Sequence, residues 1–258
     1  MNINSKIILS SIGLALIILI FWKLTYHVGC IAFLIPIFIT LILASSYIDM
    51  KLKQKECFKN CYVNDNTFIA KFLTSPYLTS IFFIVLSIIY TINLMHDILN
   101  FSIGFYFVLI ILIFITFHIY NFFLKFFKNH INDKHIEIFA REATSKISAI
   151  ILFIIYIIFY LNSYDPDYLR ESLNETVTLA SNSISSQCYL IDFILKIKRE
   201  YESIILFGMN SIDNNFKEEA WVIFIIFHGL SILGLNRLLI QIIYLMNILF
   251  KRDMNGEN

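Results

Sequence analysis

Thirty-one residues, Ala220 to Phe250, pass without an acidic side chain between Lys217-Glu218-Glu219 and Lys251-Arg252. At a helical rise of about 1.5 Å per residue they reach roughly 46 Å, against about 30 Å of bilayer hydrocarbon. That is more than one perpendicular crossing needs and less than two require. A single long membrane helix fits, and so does a re-entrant hairpin. The composition points the same way: 58% of residues are hydrophobic and 15% charged, against about 45–50% and about 25% in soluble domains. Lipid is the solvent that so much apolar surface tolerates.

The same test along the chain predicts an all-α polytopic membrane protein, a single transmembrane domain of six helices. The spans fall at about 7–24, 28–48, 76–95, 101–124, 147–161 and 219–240, the last with a helical extension to 250. Ile7 to Trp22 is longer than a signal-peptide core and no small-residue cleavage pattern follows, so it reads as a retained first span. Pro36 is expected to kink the second span. Residues 60–67 read as a polar loop, and Phe68, Ile69 and Phe72 as an amphipathic approach along the interface. Ser75-Pro76 is a capped helix start, and His96, Asp97 and Asn100 read as a short connector. Ile136, Ala140, Ala143 and Ile147 make a helical stripe, so a helix from near Asp133 should run unbroken into the fifth span. Residues 163–218 are expected outside the membrane as an amphipathic helical pair; too small to bury both apolar faces on each other, the two helices would lie on the membrane, on the span ends or on a partner. Asp165-Pro166 would open its first helix, which has Leu169, Leu173, Val177 and Ala180 on one face; the second places Ile191, Ile194, Leu195, Tyr201 and Ile205 together.

Charge placement then sets the sides. The segment 163–219 carries ten acids and five bases, while the rest of the chain carries nine acids and fifteen bases. With six spans, thirteen lysines and arginines fall on the side of the two termini and six on the other. The positive-inside rule puts both termini in the cytoplasm of a plasma (inner) membrane, with the acidic pair outside. Cys57 and Cys61 lack further ligands for a metal. Cys30 and Cys188 stand alone in the sequence, so all four cysteines are expected to be reduced.

The last run also gathers the polar groups at membrane depth. Ser231, Gly234, Arg237 and Gln241 fall within about a third of the helix circumference, with His228 one turn earlier. A stripe of small and polar residues either packs against a neighbouring helix or lines a watery route. Arg237 cannot face lipid at mid-membrane, where insertion costs about 2.5–3.5 kcal/mol; near the cytoplasmic headgroups it would snorkel instead. His118 and Asn121 form a second helix-packing or pore candidate on the fourth span. Asp and Glu are absent from all six runs, which weighs against a cation-coupled carrier.

His130, His135 and Glu137 do not share a helix face as a zinc-binding H-x3-H pair does, and read as solvated loop residues. Neither catalytic residues nor a metal or cofactor is expected. Nor is nucleic acid, because no dense basic face accompanies the aromatics. The reading is a non-enzymatic membrane subunit whose partners are the lipid bilayer and either further copies of itself or other membrane proteins. The alternative is a channel or carrier for transport of an anion or small solute along the last span. A membrane enzyme with a cytoplasmic His/Glu site comes third.

Overall fold

The computed structural model describes residues 3–62, 67–68, 75–133, 135–163, 166–211 and 217–255, without the side chains of 57, 59–62, 159–163, 210, 217–220, 222–228 and 251–255. Every regular element among them is helical: α1 (Ile3–Thr25), a 3-10 turn (Cys30–Phe33), α2 (Leu34–Tyr62), α3 (Pro76–Asn100), α4 (Ile103–Lys128), α5 (Ile136–Ser163), α6 (Leu173–Asn182), α7 (Tyr189–Ser211) and α8 (Lys217–Asn255). Five stretches are long and apolar enough to cross a membrane: Ile3–Thr25, Cys30–Glu56, Pro76–Asn100, Ile103–Lys128 and Gly229–Phe250. The chain is therefore an all-helical protein with five candidate membrane spans. α5 is one unbroken helix, as its stripe predicts, but is not among the five.

Several local expectations shift. Pro36 is the third residue of α2, not an interior kink; in a first turn its missing N–H costs nothing, because that group has no intrahelical acceptor. α2 runs on to Tyr62, beyond the loop start expected at residue 60. Ile69 and Phe72 lie outside the described residues, as do Asp133's neighbour at 134 and Asp165. α6 begins at Leu173, capped by the Ser172 hydroxyl, which accepts from the Glu175 amide; Pro166 sits in a turn before it. α3 does not stop at Met95. It continues to Asn100, so His96 and Asp97 are helical and buried instead of forming a connector. Gly29, at φ 143°, turns α1 into the 3-10 helix with a backbone that side chains disfavour.

α8 is the axis of the bundle. All but Leu233 of Ser231 to Ile243 is buried, and it packs against α1, α2, α3 and α5. α5 runs antiparallel to α4, with Phe127 against Phe139 at one end and Phe105 against Tyr156 at the other. α2 and α3 are likewise antiparallel, joined by Thr40–Thr91 and Lys55–Thr79 hydrogen bonds. At Gly234 α8 crosses α3 closely: a Cβ there would stand 3.1 Å from Tyr90. The bundle thus has a lysine-rich end, with Lys51, Lys53 and Lys55, and an opposite end where α7 packs on α3 and the 3-10 turn.

That second end carries a link that sequence spacing did not suggest. Cys30 and Cys188 form a disulfide across 158 residues, correcting the expectation that they are reduced.

Candidate functional site

Among the described residues, the buried charged side chains and His96 gather in two places. At the lysine-rich end, α2, α5 and α8 meet around two guanidiniums. Arg141, near the start of α5, donates to the Ser46 hydroxyl at 2.9 Å and to the Gln241 side-chain oxygen at 2.7 Å. Asp49 stands 3.5 Å away and is 43% exposed, and the Tyr244 ring lies 4.1 Å from the guanidinium carbon. Arg237, on α8, has weaker company. It reaches the Ser46 carbonyl at 3.4 Å and the Met50 sulfur at 3.1 Å, under the Tyr47 ring at 4.5 Å. Both arginines are 1–2% exposed. Neither Nε has a hydrogen-bond partner among the described residues.

The expected stripe is therefore partly gathered and partly dispersed. Ser231, Gly234, Arg237 and Gln241 share the buried side of α8. The side chain of His228 lies outside the described residues. His118 does not join the stripe. It is exposed on α4, edge-on to Phe114 at 4.4 Å, and Asn121 is half-buried on the same helix. His130 is exposed and His135 half-buried; Glu137 accepts a bond from the Tyr244 hydroxyl at 3.4 Å. Among the described residues no group of histidines, cysteines and carboxylates has the geometry to hold a metal ion.

The second cluster lies at the disulfide end, where α7 crosses the end of α3. His96 Nδ1 stands 3.1 Å from Asp97 Oδ1, and its Nε2 stands 3.4 Å from Glu202 Oε2. Glu202 in turn faces Arg199 at 3.7 Å, and Arg199 donates to the Asn100 side chain at 2.8 Å. All four charged or ionisable residues are buried. The Tyr156 hydroxyl of α5 reaches Asp97 at 3.3 Å. Beside them, the Tyr26 phenol is raised above its usual range, chiefly by burial. His27 and the disulfide fix the loop that leads into α7: His27 Nδ1 lies 2.9 Å from the Ser185 carbonyl.

Sequence reasoning missed Arg141, Ser46, Asp49 and the whole second cluster. A signal for the latter was present. Cys30, His96, Asp97, Arg199 and Glu202 all fall on the side that the lysine count leaves outside, and a disulfide belongs there.

Between the clusters, α5 and α8 are joined by the Ser148 hydroxyl, which donates to the Asn236 side-chain oxygen at 2.7 Å, and by the Asn236 amide, which donates to the Ser145 carbonyl at 2.9 Å. Geometrically, then, the α8 stripe acts as a seam. Comparison with protein-family models, with curated proteins and with solved structures finds no match to this chain.

Proposed function

We propose that this chain is a non-enzymatic multi-pass membrane subunit that acts by assembling laterally, with further copies of itself or with other membrane proteins. The observation that carries the reading is the burial of the α8 stripe inside the bundle. Ser231 is buried, Gly234 crosses Tyr90 of α3, Arg237 reaches Ser46 of α2 and Gln241 accepts from Arg141 of α5. A transport route along that helix would need this seam to part, leaving two buried cations without their present acceptors. What remains for a partner is the outer surface. A wholly apolar groove of about 310 Å³ runs between α4 and α5, lined by Val108, Ile111, Leu112, Ile115, Ile155 and Ile158. Van der Waals packing between helix surfaces is one of the forces by which membrane helices associate.

In this reading α5 is the sixth crossing, because it lies antiparallel between α4 and α8 along their length. The lysine-rich end and both termini face the cytoplasm. The disulfide supports that orientation, since Cys30 and Cys188 lie together at the far end and disulfides persist in oxidising compartments. The membrane is then a plasma membrane.

Purification in a mild detergent tests assembly. A particle larger than one chain plus its detergent belt, or a stoichiometric co-purifying membrane protein, is expected; a lone monomer across the solubilisation series overturns the reading.

A further inference from the structure

Three sectors of α7 set its placement, with Ile194, Lys198 and Ile205 in the gap between the third and the first. At 100° per residue, Ile191, Leu195, Arg199, Glu202, Leu206 and Met209 occupy about 80° of arc, and all are buried against the bundle. Asp192, Lys196 and Glu200 occupy a second sector of about 80°. This one is mainly polar, shared with Tyr189 and Phe207, and α6 stands over it: Ser181 donates to Glu200 at 2.8 Å. The third sector holds Leu190, Phe193, Ile197, Tyr201 and Ile204, each between 45% and 52% exposed. It extends for about 21 Å along the helix. An ordinary two-faced helix on a soluble surface needs no such third face.

Depth says what covers it. The buried edge of α7 closes a small apolar pit of about 40 Å³, where Ile191, Ile194 and Leu195 meet Pro36, Ile92 and Met95. Ile92 lies eight residues before the end of α3, about 12 Å along the helix axis. A 25-residue span is about 37 Å long and overhangs about 30 Å of hydrocarbon by about 4 Å at each end. Ile92 is therefore about 8 Å inside the acyl region, and interfacial helices sink about 5–10 Å. The 3-10 turn on which α7 packs, and α2 directly after it, also expose apolar side chains, Ile31 at 82% and Leu34 at 64%.

We infer that α7 is an interfacial helix sunk into the leaflet at the disulfide end, with Leu190, Phe193, Ile197 and Ile204 in contact with lipid acyl chains. Its polar sector and α6 lie on the water side. This places the helical pair half in the membrane, where sequence patterning alone left the membrane surface, the span ends and a partner all open as its support. The inference uses the membrane placement of the spans and is independent of what the chain assembles with.

Collision accessibility tests it. In a C57S/C61S background that keeps the Cys30–Cys188 bridge, single cysteines at Phe193, Ile197 and Ile204 carry a nitroxide. Lys196 and Ile37 serve as water-side and lipid-side references, all in phosphatidylcholine vesicles. The expected result is oxygen relaxation several-fold above that of a water-soluble nickel chelate at the three positions, as at Ile37, and the reverse at Lys196. A nickel-dominated signal at the three positions means a water-exposed face, and suppression of both collision rates means a protein partner covers it; either overturns the inference. A second readout needs no added cysteine. Phosphatidylcholine with a photoreactive group on the acyl chain should label Tyr189–Ile204 of the unmodified protein, and absence of adducts there, with α3 labelled, overturns it equally.

Discussion

The two buried clusters resemble each other in burial and differ in how their charge is met. At the disulfide end, two carboxylates, a guanidinium and an imidazole face one another within 3.7 Å. At the lysine-rich end, two guanidiniums share Ser46 and meet mainly neutral acceptors, with Asp49, among the described residues, the one carboxylate at hydrogen-bond distance. Balanced clusters are fragile to loss of a single partner, because what is left is a bare charge out of water. A cluster in which like charges sit among neutral groups has less to lose. The placement follows the surroundings. Arg237 bonds Met50, one residue short of the lysine-rich surface, while the disulfide-end cluster lies under α7 and α6, roofed by protein.

The sharpest way to break this contrast is E202A. Removing that carboxylate leaves His96 with one anionic neighbour and takes from Arg199 a carboxylate 3.7 Å away, both in buried positions. The expected loss is about 3–5 kcal/mol of stability, the range for breaking a buried pair on one side. Equilibrium unfolding in mixed micelles measures it, and E202Q should recover part by keeping an acceptor. A change under about 1 kcal/mol, the range of surface substitutions, would show that the cluster contributes nothing beyond packing.

The contrast also explains what could be read from sequence. Apolar runs announce spans because length and composition suffice. The α8 stripe was legible since Ser231, Gly234, Arg237 and Gln241 lie on one helix at fixed angular spacing. Arg141 was not, because its partners come from α2 and α8, roughly 95 and 100 residues away, and no local period encodes that meeting. His96 and Asp97 looked like a connector because polar residues at the end of an apolar run usually mark an exit into water. Here α7 folds back over them. The disulfide stayed hidden for the same reason, although the lysine count had already put both cysteines on one side.

R237M probes the other cluster and should have a much smaller effect. Its acceptors are a thioether, a carbonyl at 3.4 Å and an aromatic face. Methionine fills similar volume without a charge to desolvate, and removal ends repulsion with Arg141 across Ser46. Replacing buried charges by apolar groups of matching size is often neutral or stabilising. Stability within about 1 kcal/mol of the parent, in either direction, is expected in the same unfolding assay. A loss as large as that from E202A would erase the distinction drawn between the two ends.

The smallest effect lies between them. Ser148 and Asn236 are both buried and bonded across α5 and α8 at 2.7 Å. Intuition makes such a bond strong in lipid, where water cannot compete. The geometry argues otherwise. Ser148 has one hydroxyl proton, and the Thr144 carbonyl within α5 lies at 2.7 Å as well. When Asn236 is removed the proton turns back to its own helix, so little is orphaned. The same acceptor is available when the helices separate, which is why measured couplings of this kind average about 0.6 kcal/mol. A double-mutant cycle of S148A and N236A should return about that value and stay below about 1.7 kcal/mol. A larger coupling would mean that the hydrogen-bonded middle of the seam, and not the charge at its two ends, sets how tightly α8 is held.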